Sequence, residues 1–291
     1  MGKDILEIKN LTKYYGKIKG VEDLSLKLNA GEIFGFIGPN GSGKSTTIRS
    51  IMNLINKTSG SVYVEGTLFD KDNINIKQLI GYLPSEISLY EDLTVKEILD
   101  YHQSFYKKNI HKRRNDLVKR FKLDEKKKIE NLSLGNLKKL GIVLAFMHEP
   151  KLLILDEPIS GLDPIMQNVF YDLLMEEKAK GNTIFYSTHI LNEVSKICDR
   201  VGIIKDGQLI KVEKIEDLYN KSLTFVTLQS KQNTEILTKL NVVNISEDKN
   251  IIKFKIDMGH NKLLKTLAMF EIDKILIEEA TLEDILLHYY K

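Results

Sequence analysis

The stretch from Gly38 to Ser45 reads GPNGSGKS and is the most specific motif in this chain. It matches the pattern G-x-x-x-x-G-K-[S/T], whose glycines let the backbone wrap closely around phosphate groups. The apolar segment Glu32–Ile37 (EIFGFI) precedes the loop and is typical of a buried strand. After the loop, apolar residues recur at helical spacing, namely Ile48, Ile51, Met52 and Ile55. A strand, a glycine-rich loop and a helix form half of a βαβ unit, so we predict an α/β domain that binds phosphates.

The side chains of this loop suit a nucleoside triphosphate with its magnesium ion. Backbone N–H groups of the loop and of the helix N-terminus are expected to face the anion. Lys44 is expected to reach the β- and γ-phosphates, and Ser45 to ligate Mg²⁺. The predicted nucleotide-binding residues here are Gly38, Asn40, Gly41, Ser42, Gly43, Lys44, Ser45 and Thr46.

A second signal is an acidic pair that follows a continuous apolar run. Leu152–Leu155 (LLIL) is typical of a strand buried on both faces, and Asp156 and Glu157 come directly after it. Alone, such a pair is more often a polar strand end. Together with the phosphate loop, it predicts that Asp156 holds Mg²⁺, directly or through water. Glu157 is then expected to act as a general base or to orient a water for attack on the γ-phosphate.

The composition is that of an ordinary globular protein. Of the 291 residues, 42% are hydrophobic and 29% are charged, which excludes disordered and fibrous classes. Lysine and arginine exceed aspartate and glutamate by 43 − 40 = 3, too weak a bias to indicate nucleic acid binding. The single cysteine, Cys198, excludes a disulfide within one chain and is expected to be a buried packing residue.

The sequence predicts no direct membrane crossing. No apolar stretch approaches the roughly 20 residues of a membrane span, and the N-terminal residues have no apolar signal core. We therefore expect a cytosolic chain that reaches a membrane only through a partner. Basic triplets between Asp92 and Asn131 indicate either a solvated helix face or attraction to an anionic membrane surface.

Two domains are predicted, covering residues 1–217 and 218–291. In the first, short alternating strands indicate an antiparallel β subdomain beside a mixed central sheet, and residues of about 86–135 form a helical subdomain. A hairpin around Asp206-Gly207 closes this domain. In the second, the predicted order βαββαβα, with a last helix at Leu282–Tyr290, is typical of a small ferredoxin-like α+β domain.

Further motifs resemble those of the ATP-binding cassette (ABC) ATPases. Leu132–Asn136 (LSLGN) is similar to the L-S-G-G-Q signature of that family, and Ser160–Asp163 (SGLD) resembles its D-loop. His189, after the strand TIFYST, resembles its switch histidine, and Tyr15 its adenine-stacking aromatic residue. With the two phosphate-site motifs, these elements follow the family's order over about residues 5–215. The chain is therefore identified as a member of this family, a P-loop NTPase fold.

The resemblance implies a head-to-tail dimer, homodimeric or paired with another cassette, that sandwiches ATP with Mg²⁺. Ser133 and Gly135 of one protomer would face the γ-phosphate that Lys44 of the other binds. Asp163 would join the nucleotide site, and His189 would contact the γ-phosphate and orient the attacking water. Hydrolysis to ADP would remove the shared phosphate and release the dimer. Catalysis is thus expected from Glu157, His189 and Lys44.

The chain departs from the family pattern at two places. Leu134 and Asn136 replace a glycine and the glutamine of the signature, while its serine and second glycine remain. Ser85 stands where the family has a glutamine that reaches Mg²⁺, and Glu86 follows it. Three alternatives stay open: Glu86 substitutes as a ligand, a water bridges the gap, or Glu86 is a solvated loop carboxylate.

Other stretches are similar to the cassettes of bacterial exporters. These are Gly81–Pro84 (GYLP), Leu89–Val95 (LYEDLTV) and Glu279–Ile285 (EATLEDI). The resemblance implies a subunit at the cytoplasmic face of the membrane that drives a separate permease, exporting a drug, an antimicrobial peptide or a lipid. The surface between about Pro84 and Asn131 would receive the permease.

Two other functions are weighed. One is an ABC ATPase that acts on ribosomes or DNA, whose relatives carry tandem cassettes or a long coiled-coil insertion, neither of which occurs in this sequence. The other is an importer subunit, for which an intact L-S-G-G-Q and the loop glutamine would be more typical.

Overall fold

The computed structural model describes residues 4–71, 73–220, 224–240, 242, 244–248, 250–256 and 260–279. The chain forms two compact units, Met1–Lys214 and Ile215–Lys291. The predicted helix at Leu282–Tyr290 and most of the stretch Glu279–Ile285 lie outside the described residues.

The first unit alternates strands and helices. Its strands are β1 (Asp4–Tyr15), β2 (Ile18–Asn29), β3 (Ile33–Ile37), β4 (Ser59–Val64), β5 (Thr67–Leu68), β6 (Ile80–Leu83), β7 (Leu152–Asp156), β8 (Thr183–Thr188), β9 (Arg200–Lys205) and β10 (Gln208–Lys214). Its helices are α1 (Lys44–Ile51), α2 (Ile74–Lys77), α3 (Val95–Gln103), α4 (His111–Arg120), α5 (Leu134–Phe146), α6 (Pro164–Ala179) and α7 (Leu191–Ile197).

The central sheet of the described chain has six strands in the order β10-β9-β3-β8-β7-β6. All neighbours are parallel except β10, which pairs antiparallel with β9. The hairpin predicted at Asp206-Gly207 joins these two strands, and both residues have positive φ, 49° and 76°, as a two-residue type I′ turn requires. Strands β3, β7 and β8 are wholly buried, in agreement with their continuous apolar sequences.

A second, antiparallel sheet has the order β2-β1-β4-β5 and confirms the predicted antiparallel layer. Alternate residues of its long strands point inward and pack against the central sheet and α1. This shared core includes Leu6, Ile8, Leu26, Phe34, Phe36, Ile48, Val62 and Phe185. Burial of these side chains holds α1 and the loop before it in a fixed position.

The region between β6 and α5 is helical. Thr94 caps α3 with a capping box, because its hydroxyl accepts from the Glu97 N–H while the Glu97 carboxylate accepts from the Thr94 N–H. Ion pairs tie α4 to α6, with Arg113 Nη2 lying 2.6 Å from the buried Glu177 Oε1. A short 3₁₀ turn at Ile129–Asn131 precedes α5.

The second unit is an α+β sandwich of its own. It contains α8 (Ile215–Asn220), β11 (Thr224–Gln229), α9 (Asn233–Leu240), β12 (Asn244–Asp248), β13 (Ile251–Ile256), α10 (His260–Leu267) and β14 (Lys274–Glu279). The sheet order is β12-β13-β11-β14, all antiparallel. From β11 onward the order is βαββαβ, which confirms the ferredoxin-like prediction over these residues. Its separate core includes Val226, Leu228, Ile236, Ile252, Phe254 and Leu263.

No helix in the described part of the chain combines the length and the apolar character that crossing a membrane requires.

Candidate nucleotide-binding and hydrolysis site

Three strand ends converge at one edge of the central sheet. Strands β3, β8 and β7 are parallel neighbours in that order, so their carboxyl ends lie side by side. The loop Gly38–Gly43 follows β3, Glu157 follows β7, and His189 follows β8. Open α/β sheets bind ligands at this edge. The sheet therefore brings together the phosphate loop, the acidic pair and the histidine, which lie far apart in sequence.

The phosphate loop is shaped by left-handed backbone. Gly41 and Gly43 have φ values of 80° and 107°, a region that glycine enters without steric cost. The N–H of Gly207, in the β9–β10 hairpin, donates to the Ser42 carbonyl at 2.9 Å and ties the loop to the sheet. Asn40 is exposed on the loop, whereas Ser42 is buried.

The ammonium of Lys44 is folded onto the loop that precedes it. Nζ donates to the carbonyls of Gly38 at 2.8 Å and Pro39 at 3.1 Å, and the residue is only 5% exposed. Burial lowers the pKa of Lys44, and the negative charges of Glu157 and Asp156 partly oppose that effect. A buried cation at the start of a helix is suited to bind a phosphate anion.

Asp156 is a buried carboxylate with unfilled hydrogen-bonding capacity. It is 1% exposed, and no residue in the described part of the chain donates a well-formed hydrogen bond to either carboxylate oxygen. Burial raises the pKa of Asp156, and the hydroxyls of Ser45 and Ser187 oppose that rise. Carboxylate and hydroxyl oxygens are ligands that Mg²⁺ prefers. The pair Asp156 and Ser45 therefore fits a magnesium ion.

Glu157 and His189 form a hydrogen-bonded pair. Nδ1 of His189 lies 3.0 Å from Oε1 of Glu157. An ionised carboxylate only accepts hydrogen bonds, so Nδ1 is the donor in this pair. The two side chains are 27% and 44% exposed, which leaves both accessible to water. Glu157 itself has left-handed backbone, with φ of 46°.

Tyr15 lies beside the first turn of α1. Its ring is 45% exposed, with the Lys13 ammonium 4.7 Å from the ring centroid. A Cβ placed on Gly20 of β2 would stand 3.0 Å from Tyr15 Cε2 and 2.9 Å from Thr46 Cγ2. The ring is thus next to the residue that follows the phosphate loop, where an exposed aromatic face is suited to stack on a base.

The signature loop and the D-loop meet. Ser133 caps α5 and Asp163 caps α6, each accepting from a backbone N–H three residues on, at 3.4 Å and 2.9 Å. A Cβ on Gly135 would stand 2.7 Å from the Gly161 carbonyl oxygen, so this approach requires glycine. Leu134, which departs from the family signature, is 70% exposed. The roles of these residues toward a second protomer stay predictions.

The loop after β6 has Ser85 half-buried and Glu86 exposed. The backbone carbonyl of Ser85 accepts a hydrogen bond from Lys138 Nζ at 2.9 Å. The three alternatives for a metal ligand in this loop stay predictions.

Sequence reasoning misses Lys138. This lysine on α5 is 3% exposed, and its ammonium also donates to the Glu157 carbonyl at 3.2 Å. Burial lowers its pKa, while the charges of Asp156 and Glu157 oppose that effect. The only signal in sequence is a cation five residues after Ser133 in a helix that is otherwise largely apolar.

Comparison with known proteins gives a consistent result. A family model described as "ABC transporter" matches residues 21–160. The linearmycin resistance ATP-binding protein LnrL of Bacillus subtilis is 38% identical over 222 residues, 75% of this chain and 71% of that protein. The bacitracin transport ATP-binding protein BcrA of Bacillus licheniformis is 34% identical over 295 aligned positions, 96% of this chain and 95% of that protein.

The fold is also similar to solved cassettes. One is a dimeric ATP-binding cassette in a post-hydrolysis state, bound to ADP and phosphate. It has a TM-score of 0.66 and 26% identity, and the match covers 72% of this chain and 98% of that one.

Proposed function

The chain belongs to the ABC transporter family as an ATP-binding ATPase subunit, and we propose that it drives a separate permease that exports a drug, an antimicrobial peptide or a lipid. ATP hydrolysis is supported by four side chains that meet at one edge of the central sheet, those of Lys44, Asp156, Glu157 and His189. The export part is supported by the relatives named for bacitracin transport and linearmycin resistance.

Nucleotide binding is assigned to the phosphate loop and Tyr15. The ammonium of Lys44 exchanges its carbonyl partners for β- and γ-phosphate oxygens, and the loop N–H groups donate to the same phosphates. The ring of Tyr15 stacks on the adenine. These contacts hold the γ-phosphate close to the ends of β7 and β8.

Ser45 and Asp156 would hold Mg²⁺. When bound there, the ion supplies positive charge that offsets the phosphate charge developing during transfer. The unfilled oxygens of Asp156 support this assignment, because a buried carboxylate without donors is costly unless a cation accompanies it.

Hydrolysis is assigned to Glu157 and His189. The Glu157 carboxylate accepts a proton from the attacking water or orients it, as a general base in hydrogen-bond reach does. The His189 imidazole holds that carboxylate through Nδ1. Its Nε2 can donate to a γ-phosphate oxygen when the ring is an imidazolium, because only then do both ring nitrogens carry a proton.

A second protomer completes the site. Ser133, Gly135 and Asp163 lie at two loops that approach each other, and the similar dimeric cassette supports the pairing of two cassettes. The head-to-tail arrangement is what the family resemblance implies. In the dimer Ser133 and Gly135 face the γ-phosphate bound by the other protomer, and Asp163 joins the nucleotide site. Loss of that phosphate weakens the interface, so each hydrolytic cycle opens the dimer.

The partner is a permease at the cytoplasmic face of the cell membrane. Exposed aromatic residues on the helical region between β6 and α5 suit such a contact, and they are Tyr90, Tyr101 and Phe105. Opening and closing of the cassette dimer then moves the permease through this region.

The decisive experiment is purification of tagged chain from its host's membranes in mild detergent. A co-purifying protein with several membrane spans, at about equal stoichiometry, is the expected result. Cells that express both proteins should also tolerate more bacitracin or linearmycin than cells with the Lys44→Ala variant. Co-purification of ribosomes or DNA, or uptake instead of efflux of a substrate, would overturn export and leave ATP hydrolysis standing.

A further inference from the structure

The buried ammonium of Lys138 bridges two separate segments. Its Nζ donates to the backbone carbonyls of Ser85 at 2.9 Å, Glu157 at 3.2 Å and Pro84 at 3.3 Å. An ammonium has three donors, and all three are therefore directed at backbone oxygens. The contacts join the loop after β6 to the residue after β7.

The Glu157 contact matters because that residue has an unfavourable backbone conformation. A non-glycine residue with φ of 46° persists only where its surroundings hold it. The Glu157 N–H donates to the Ser187 carbonyl at 3.0 Å, and its carbonyl accepts from the Ser160 N–H at 3.3 Å as well as from Lys138. The ammonium adds a charge-assisted hydrogen bond to this carbonyl.

The same helix also carries the signature serine. Ser133 caps α5 five residues before Lys138, a rise of about 7.5 Å along the helix axis. Farther along, a Cβ on Gly141 would stand 2.3 Å from Ile87 Cδ1, so α5 packs tightly on the loop after β6. A displacement of either α5 or this loop therefore acts directly on Lys138.

We propose that Lys138 is a positioning residue for ATP hydrolysis, holding the Glu157 peptide in its left-handed conformation and linking it to α5 and to the loop at Ser85. In this chain a lysine on α5 joins the loop at Ser85 to the backbone carbonyl of Glu157, the residue that carries the proposed hydrolytic carboxylate. The inference rests on the proposed role of Glu157. It makes hydrolysis, and not nucleotide binding, depend on Lys138.

Two variants of the full chain separate these effects. Lys138→Met keeps the length of the side chain and removes every donor, whereas Lys138→Gln keeps a neutral donor. We expect kcat for ATP to fall about 10- to 100-fold in Lys138→Met and less in Lys138→Gln, because small displacements of a catalytic group have effects of this size. KM should stay within about twofold, because Lys44 and the loop N–H groups bind the phosphates.

A double-mutant cycle with Glu157→Gln identifies the path of the effect. If Lys138 acts through Glu157, adding Lys138→Met to Glu157→Gln leaves the residual single-turnover rate unchanged. The matched control is Lys151→Met, which removes an exposed ammonium paired with Glu65 and should retain wild-type kcat. If Lys138→Met does not fold, as judged by its Tm, the cycle is measured with Lys138→Gln.

The inference is wrong if the losses of hydrolysis rate from Lys138→Met and Glu157→Gln are additive in the double variant. It is also wrong if both Lys138 variants keep the wild-type kcat, or if substitution of Lys138 changes KM alone. ATP hydrolysis by the wild-type chain shows whether only the role of Lys138 is wrong or the proposed function as well. A wild-type chain that hydrolyses ATP and drives its permease, beside an additive cycle, refutes only the role of Lys138. A wild-type chain that does not hydrolyse ATP refutes the role of Glu157 itself.

Discussion

Nδ1 of His189 lies 3.0 Å from Oε1 of Glu157, although 32 residues separate them in sequence. The two residues meet because each follows the carboxyl end of a strand, and those strands, β8 and β7, are parallel neighbours. The hydrogen bond fixes the orientation of a carboxylate that is still accessible to water.

Replacing Glu157 by glutamine removes the proposed proton acceptor and keeps the size of the side chain. We expect ATP hydrolysis to fall about 100- to 10,000-fold, while ATP binding persists and the ATP-bound dimer accumulates. Phosphate release measures the first effect and light scattering with Mg·ATP the second. The control is Glu130→Gln, which removes an exposed carboxylate 3.7 Å from Lys128. Finding only monomer for Glu157→Gln would contradict the sandwich dimer.

Replacing Lys44 by methionine should weaken ATP binding about 10- to 150-fold, the value of one hydrogen bond to a charged group. The fold should persist, because methionine is nearly as long as lysine and α1 stays anchored in the core through Ile48 and Ile51. Equilibrium binding of a fluorescent ATP analogue measures the change. Lys96→Met, which breaks a surface ion pair with Asp100, should bind ATP normally. Equal affinity in both variants would exclude Lys44 from phosphate binding.

Replacing Tyr15 by alanine removes the proposed adenine platform. We expect the affinity for ATP to fall about 5- to 150-fold, whereas Tyr15→Phe retains it because stacking needs the ring and not the hydroxyl. Isothermal titration of ATP and of inorganic triphosphate distinguishes the parts of the ligand. Triphosphate binding should be the same in all three proteins, and a loss there would point to a damaged phosphate loop.

Replacing Asp156 by asparagine should stabilise the metal-free protein and abolish its hydrolysis. Burial raises the pKa of this carboxyl in the folded state, so the folded state holds the proton more tightly than the unfolded chain does. Wild-type stability is therefore lost as pH rises from the unfolded pKa, about 4, through the raised folded value. Asp156→Asn has no carboxyl group at this position, so its folding stability should not fall with pH for this reason.

At neutral pH in EDTA we expect Asp156→Asn to gain about 1–3 kcal/mol, the cost of an unsatisfied buried group. Added Mg·ATP should stabilise the wild type and so reduce the difference in stability between the two proteins. Thermal unfolding in EDTA and in Mg·ATP measures this difference. A Tm for Asp156→Asn below that of the wild type in EDTA would show that Asp156 is satisfied without a cation.

Replacing Phe254 by alanine tests the independence of the second unit. The side chain is fully buried in the core of that unit, so the loss should be about 3–5 kcal/mol. Calorimetry should show that the second unit of Phe254→Ala unfolds at a lower temperature, while the affinity of the first unit for ATP is unchanged. Leu276→Ala, at a position 52% exposed, should leave both transitions in place. One shared transition shifted in Phe254→Ala would mean that the units unfold together.

Local sequence patterns were enough to predict the class of fold and to name most of the candidate site residues. The loop Gly38–Ser45, the buried run before Asp156 and the Asp206-Gly207 turn are local patterns, in which neighbours along the chain dictate backbone shape. Local geometry suffices for such elements, because a phosphate loop or a two-residue hairpin is completed within a few residues. The family resemblance then assigned roles to Tyr15 and His189, which no local pattern distinguishes.

Which of the candidate site residues contact one another could be read only from the folded chain. The Glu157–His189 hydrogen bond, the approach of Gly135 to Gly161 and the burial of Lys138 depend on strand order and helix packing. A lysine in a helix is ordinarily solvated, so its sequence position carries no sign that it is buried. Its burial follows from the packing of α5 against the loop after β6 and the end of β7, segments about 50 and 20 residues away in the chain. Contacts between residues so far apart in sequence depend on how the whole core packs, so no local sequence pattern predicts any one of them.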